Sequence, residues 1–354
     1  MPAPFSDGFR QRNRVAEERL AGLTTFRIGG PATVAVLDDR ADLAEAIAHA
    51  PRWLGKGANL LVGDAPLPQP VMRLGRDFDY IRDLGKREGR SIVAAGSATD
   101  LAKLISHCIA AGLAGPEGLA GVPATVGGAL RMNAGTVHCW TLDFVSRVEV
   151  VLPGRDAPEW IERGSMAAAY RCNGLPPGTI FLGCELALEP GDPAVLKERG
   201  AKLKKAKADT QPLALPSAGC VFKNPSKETP AGRLVDQLGL KGCRIGGAEV
   251  SPVHANFIVN PGRDALAMDV VRLVRRIRRT AFRERGIVLE MEVEAWNCPD
   301  ELRAHPSELP DESSGRPVVR SSGRQDLTDA CATPNASGDP TTGQTDDRTT
   351  GQGQ

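Results

Sequence analysis

The chain has almost no excess charge: 44 lysines and arginines stand against 43 aspartates and glutamates, leaving +1 at neutral pH. A nucleic acid or an acidic bilayer therefore meets no attractive global field, and any anion site must be local. Long apolar runs are also missing. No stretch reaches the about 18 apolar residues that a membrane helix needs, and the amino terminus, MPAPFSDGFRQRNRVAEERL, carries charges where a signal peptide needs an apolar segment. A cytoplasmic protein with neither membrane nor nucleic acid as partner is expected. Eight cysteines, at 108, 139, 172, 184, 220, 243, 298 and 331, include no CxxC pair. That argues against structural zinc, thioredoxin-type chemistry and a disulfide framework, so no metal is expected and each thiol reads first as a small buried hydrophobe. Two nucleotide motifs are absent as well. WLGKGANLLVGDA fails GxGxxG because its sixth position is Leu60, and nothing matches GxxxxGK[ST], so neither a Rossmann unit nor a P-loop is supported.

What is present is glycine in two concentrated loops. In PEGLAGVPATVGGALRMNAG, Pro116 to Gly135, Gly118, Gly121, Gly127 and Gly128 permit positive φ and close backbone approach to a ligand, and Pro123 sets one turn. Successive amides so arranged make an anion-binding nest, without which the stretch is only a tight crossover. The second concentration, Gly55, Lys56, Gly57, Ala58, Asn59 and Leu60, precedes the apolar run Leu60 to Val62. Two glycine loops about sixty residues apart, each beside β structure, read as two jaws on one extended cofactor. Lys56 serves either a phosphate or only the solvent.

At 354 residues the chain is long for one core, and two or three domains are expected. Residues 1–20 read as a leader helix, with the fold starting near Leu23. Strands are expected in TTFRIGG, around Val34, from Val71 to Leu74, Phe78 to Ile81, Ser91 to Ala95, Val145 to Leu152 and Thr179 to Leu188, with helices at RADLAEAIAHA and TDLAKLISHCIAAG. Beyond a basic helix, DPAVLKERGAKLKKAKADTQP, come PSAGCVFKNP, a helical AGRLVDQLGL and the hairpin-like CRIGGAEVSPVHANFIVNPG. RDALAMDVVRLVRRIRRTAFRERG is a strong amphipathic helix whose arginines occupy its solvated face, and IVLEMEVEAW reads as a final strand. From about Asp300 the chain loses aromatics and becomes rich in small polar residues, a composition that cannot offset chain entropy and is expected to be disordered.

The ordered series TTFRIGGPA, GKGANLLVGD, GLAGVPATVGGALRMNAG, YR, PSAGCVFKNP, GLKGCRIGGAEVSPVHANFIVN and LEMEVE resembles the UDP-N-acetylenolpyruvoylglucosamine reductase family over residues 20–296, in its shorter form without an extra substrate-covering insertion. The resemblance implies an α+β protein: a two-part, non-Rossmann FAD-binding domain that cradles the diphosphate on glycine loops, and a separate α+β substrate-binding domain. The implied division is 1–20 leader, 21–75 and 76–192 FAD-binding subdomains, 193–211 linking helix, 212–297 substrate-binding domain and 298–354 disordered tail. It implies non-covalent FAD, NADPH as hydride donor, UDP-N-acetylglucosamine enolpyruvate as substrate, and reduction to UDP-N-acetylmuramate for peptidoglycan synthesis; a monomer is expected.

By the same resemblance FAD is held by Arg27, Gly29, Gly55, Lys56, Gly57, Ala58, Asn59, Leu60, Gly118, Gly121, Val122, Pro123, Thr125, Gly127, Gly128, Asn133 and Gly135, and the substrate by Tyr170, Lys223, Asn224 and Asn256. Adding hydride at C3 of an enolpyruvyl ether loads negative charge on C2 and its carboxylate, which asks for a cation, hydrogen-bond donors and a proton source. Arg171 and Glu292 match the family's arginine and glutamate for the first two. Cys220 stands where the family most often has a proton-donating serine; a thiol of free pKa about 8.5 can do the same work, with exposure to oxidation and alkylation as its consequence. Two departures stand out. Cys172-Asn173-Gly174-Leu175 replaces the usual serine and phenylalanine after the Tyr-Arg pair and is expected to loosen the packing of Arg171, and Glu249 stands where glutamine is common. Alternative readings are another FAD enzyme of this architecture acting on a sugar or hydroxy acid, and a flavin- or RNA-binding regulator using Lys202 to Lys207 and the arginine helix.

Overall fold

The computed structural model describes residues 5–302 and 304–308. Three sheets succeed one another along the chain. The first combines β1 (Arg14–Arg19), β2 (Pro31–Leu37), β3 (Arg52–Trp53) and β5 (Val71–Leu74) in the order β1-β2-β5-β3, while β4 (Leu60–Val62) stands apart from it. The β1–β2 pair is antiparallel and the other two are parallel. Helix α1 (Asp7–Arg12), capped by Ser6, and α2 (Leu43–Ala48) flank this sheet, and Phe9 is fully buried with Leu37, Met72 and Phe78.

The second sheet is antiparallel, with β6 (Ile81–Arg87), β7 (Arg90–Gly96), β9 (Val145–Val151), β10 (Glu159–Glu162) and β11 (Ile180–Pro190) in the order β10-β9-β11-β7-β6; the short β8 (Leu113–Ala114) pairs with β11. Helix α3 (Leu101–Ala110), capped by Asp100, buries Leu101, Leu104, Ile105 and Cys108 against it, at the spacing of one helical face. The glycine loop ends in α4 (Val126–Arg131), capped by Thr125. Then α5 (Pro193–Thr210), started by Asp192 and Pro193, runs back across that loop, with Gly200 facing Glu117 and Ala120.

The third sheet, β12 (Ser217–Cys220), β13 (Arg244–Ile245), β14 (Ala248–Val250) and β15 (Phe257–Val259), has the order β12-β15-β14-β13. Beside it lie α6 (Ala231–Gln237) and α7 (Ala267–Arg285), whose Val270, Val271, Leu273, Val274, Ile277 and Ala281 form the core stripe and which stops at Gly286 in the left-handed region, φ +66. Asp64, from the first glycine segment, accepts from Ala267 N at 2.9 Å and so caps α7 from a distant part of the chain. The last strand, β16 (Glu294–Trp296), leaves the third sheet and pairs in parallel with β4.

Several expectations change. The segment expected as a leader helix contains β1, which pairs with β2 over its whole length; five of its six side chains are exposed, so an edge strand carries little apolar signal. TTFRIGG forms no strand, because Leu20 N and Ala21 N bond to Gly30 O and Gly29 O and pinch it into a loop. The strand expected at 78–81 begins only at Ile81, after a single 3₁₀ turn at Arg76–Phe78. In IVLEMEVEAW only Glu294–Trp296 is a strand, since the segment changes partners halfway. The tail expected to be disordered from 298 begins with ordered chain: Glu301 pairs with Arg275 at 2.9 Å, Leu302 O accepts from Arg278 Nη1 at 2.7 Å, and the His305 ring edges onto Phe282. The remainder of that expected tail, 309–354, lies outside the described residues.

Candidate active site

The first glycine loop is a cradle of free donors. Among the described residues, the backbone N–H groups of Gly55, Lys56, Gly57, Ala58 and Asn59 donate to no protein acceptor. Gly57 has φ +63, and a Cβ there would strike Leu23 O. Thr25 fastens the loop, donating from its N to Gly57 O at 3.1 Å and from its hydroxyl to Ser217 O at 2.7 Å. Lys56 is paired with Asp100 rather than free.

The second loop differs from the expected nest. Gly118 N bonds to Gly115 O, Val122 N to Leu119 O, Gly127 N to Ser97 O and Gly128 N to Thr125 Oγ1. Most of its amides thus hold its own shape, and among the described residues those of Glu117, Gly121, Thr125 and Gly135 stay open. Its glycines serve close packing: a Cβ on Gly118 would strike Cys139 Sγ, one on Gly135 the Trp140 ring, and one on Gly127 would come 2.8 Å from Ser97 Cβ. The loops face each other, for a Cβ on Gly55 would sit 2.8 Å from Thr125 Oγ1 and 4.0 Å from Gly128 N.

Beside this junction the fold gathers Arg171, Cys220 and Glu292. Arg171 lies on a tight turn closed by the Ala169–Cys172 bridge, at φ +56. Its Nε is 2.7 Å from Glu292 Oε1, with side-chain exposures of only 19% and 9%, yet its N–H is not aimed at that oxygen; the contact is an ion pair and not an aligned hydrogen bond. The guanidinium also lies over the rings of Trp140 and Tyr170, 5.8 and 5.5 Å from their centroids. Burial raises the Glu292 carboxyl above the usual range, although Arg171, Lys223 and Tyr170 pull it down. Burial, followed by the Glu292 charge, pushes the Cys220 thiol up to about 12 against the opposing influence of Arg171 and Lys207. A thiol held protonated in this way is a poor nucleophile, which argues against the expected sensitivity to alkylation.

Other sequence candidates are engaged with protein groups around the site. Asn133 is buried; its amide donates to Ala169 O at 3.1 Å and Cys172 O at 3.4 Å and accepts from Leu142 N at 3.2 Å, holding the Arg171 turn. Asn173 donates to Arg131 O at 2.6 Å, so the departure at 172–175 brings its own anchor. Asn256 pairs with both backbone groups of Phe222, at 3.0 and 2.8 Å, and fixes the strand end that carries Cys220. Asn224 accepts from Ala231 N at 3.0 Å and starts α6. Arg27 is exposed and donates to Gly22 O, and Gly29 lets Leu20 pack closely. Lys223 lies 3.4 Å from Glu290. The unusual Glu249 is neutralised by Arg244 at 3.2 Å.

Sequence reading missed three residues here. Trp140 edges onto Tyr170 with ring centroids 5.5 Å apart, and its only signal was a tryptophan just beyond the glycine loop. Lys207 is half-buried on α5, its side chain against Gly121; burial and the nearby Arg171 lower its pKa, and no ion-pair partner stands beside it among the described residues. A run of lysines conceals which one turns inward. Ser97 Oγ is buried without a hydrogen-bond partner next to Gly127, and no sequence signal marks it.

A model of the UDP-N-acetylenolpyruvoylglucosamine reductase C-terminal domain matches residues 211–296, and a FAD binding domain model matches 31–155. UDP-N-acetylenolpyruvoylglucosamine reductase of Rhodospirillum rubrum is 37% identical over 304 residues, covering 82% of this chain and 93% of that protein. The chain belongs to the UDP-N-acetylenolpyruvoylglucosamine reductase family. The Thermus thermophilus member is 40% identical over 80% of this chain and 99% of its own length. The crystal structure of the Thermus caldophilus reductase superposes with a TM-score of 0.71 at 39% identity, covering 80% of this chain and 99% of that one. This family member is an FAD-dependent oxidoreductase of mixed α+β fold. Among the described residues no helix is long and apolar enough to cross a membrane.

The residues present fit FAD. Free amides at 55–59, a wall of glycines at 121–128 and the orphaned Ser97 hydroxyl are what a diphosphate-bearing cofactor would satisfy. Gly55→Ala is expected to yield largely colourless protein, because a methyl group between the loops adds an overpacking cost of about 1–3 kcal/mol where the cofactor would lie. Flavin absorbance per protein after gel filtration measures it, and full retention would contradict the placement.

Proposed function

We propose that this reductase converts UDP-N-acetylglucosamine enolpyruvate to UDP-N-acetylmuramate, the step of peptidoglycan synthesis that its relatives' name describes, with NADPH as reductant. The observation that carries the reading is the joining of Arg171, Glu292 and a protonated Cys220 beside two facing glycine loops. When bound, FAD supplies the relay that moves hydride from NADPH to C3 of the enolpyruvyl group. The Arg171 guanidinium binds the substrate carboxylate and meets the charge that grows on it, its plane steadied by Trp140 and Tyr170. When the substrate carboxylate takes the place of Glu292 on Arg171, burial favours the protonated Glu292 carboxyl, which then donates a hydrogen bond to the same oxygens. Cys220 Sγ delivers the proton to C2, which balances the equation: one hydride and one proton saturate the double bond, and NADPH leaves as NADP⁺. Lys207 and Lys223 add positive charge for the anionic nucleotide. The Asn59, Asn133, Asn224 and Asn256 side chains act from behind, on backbone.

Purified protein is expected to oxidise NADPH only when UDP-N-acetylglucosamine enolpyruvate is present, with one nucleotide sugar consumed per NADPH. NADPH loss that ignored the nucleotide sugar and followed oxygen would overturn the reading in favour of an oxidase.

A further inference from the structure

The segment that carries Glu292 is handed from one part of the molecule to another at that residue. Before it, Lys223 N bonds to Glu290 O at 2.9 Å and Glu292 N to Val221 O at 2.8 Å, so the chain belongs to the strand end bearing Cys220. After it, Glu294 N bonds to Asn59 O at 3.1 Å, Glu294–Trp296 pair with Leu60–Val62, and Gly63 N bonds to Trp296 O at 2.8 Å. At the hand-off itself the Glu292 carbonyl is held by a single side chain, Asn59 Nδ2, at 3.0 Å. The same amide touches Met132 Sδ at 3.8 Å, near the end of the second glycine stretch. Asn59 is also the last residue of the free-amide run that starts at Gly55.

We infer that Asn59 is a positioning residue that couples cofactor occupancy of the first glycine loop to the placement of Glu292. An anion bound by the amides of 55–59 fixes the Asn59 backbone, and a side chain with only two torsions carries that constraint to the Glu292 carbonyl and hence to its carboxyl beside Arg171. The residue type follows from the geometry. The position needs a short donor: aspartate would set its charge against a carbonyl oxygen, and leucine would keep the shape without the bond. Glu292's importance to turnover rests on the function proposed above, but the coupling itself does not.

The test uses the full chain, wild type beside Asn59→Leu and Asn59→Ser, and two readouts. In hydrogen exchange with and without FAD, the wild type is expected to slow by about tenfold or more both over 55–63 and over 288–298. Asn59→Leu should keep the first effect and reduce the second to within about twofold, with Asn59→Ser between, since its hydroxyl restores a donor but not its reach. In stopped flow, Asn59→Leu should slow reoxidation by UDP-N-acetylglucosamine enolpyruvate by about 30–100-fold, the size expected for a misplaced catalytic group, and should slow reduction by NADPH at least about tenfold less. The inference is overturned if 288–298 does not respond to FAD in the wild type, or if it responds equally in both variants. It is also overturned if both half-reactions fall together, or if folded variants no longer hold FAD, which would make Asn59 a plain cofactor ligand. A wild type that ignored the nucleotide sugar while the exchange pattern held would sink the proposed function and leave the coupling standing.

Discussion

Cys220→Ala is expected to lower substrate-dependent NADPH oxidation by about 10³-fold, within the range that a positioned proton donor contributes, while Cys220→Ser retains a substantial part of it. The reason is the protonation state. Burial first, and the Glu292 charge second, push the thiol up to about 12, so it carries its proton across the whole working range, as a serine hydroxyl would. Two consequences separate this from a reactive cysteine. Activity should show no alkaline limb attributable to Cys220 below that value, and iodoacetamide near neutral pH should inactivate slowly, because the thiolate fraction is about three thousandfold below that of a thiol of pKa about 8.5. An alkaline limb near the ordinary thiol range that disappeared in Cys220→Ser would contradict the assignment.

Glu292→Gln is expected to lower turnover by about 10²–10³-fold, the size seen when one donor to a developing oxyanion is removed, and to change the pH dependence of stability in a defined direction. Burial raises the Glu292 carboxyl above its usual range, with Arg171 only partly opposing it. The folded state therefore holds this proton more tightly than the unfolded chain, and its contribution to stability is present at low pH and lost as pH rises through the ordinary glutamate range and beyond. The glutamine variant should lack that slope, which chemical denaturation at several pH values measures. Arg171→Met is the harsher change, because it leaves the nearly buried Glu292 unpaired; breaking such a pair costs about 3–5 kcal/mol, so lost activity must be read beside a thermal melt. If Glu292→Gln kept both wild-type turnover and the wild-type stability slope, the carboxyl would have no part in the chemistry.

Motifs whose meaning is local were legible in the residues. The glycine spacing of 55–63 and 116–135, Arg171 after Tyr170, Cys220 within PSAGCVFKNP and Glu292 within LEMEVE all pointed to the place where the structure gathers them. The core stripe of α7 was equally plain, since 3.6-residue periodicity is a property of the segment itself. Edge strand β1 was hidden because charged side chains cover most of it, and the switch of partners inside IVLEMEVEAW left no periodic trace.

The sequence by itself thus determined the two glycine loops, the three side chains that the fold brings together and the mixed architecture around them, because each rests on residue type and short spacing. Only the tertiary structure decided what the asparagines and lysines do. Asn133 and Asn256 hold distant backbone, Asn59 reaches a carbonyl 233 positions away, and one lysine of a solvated helix faces Arg171 and Cys220. A side-chain amide bonds any unpaired backbone group within reach, and an ammonium follows the local field. Which groups come within reach is set by how distant segments pack, and no pattern along the chain records it.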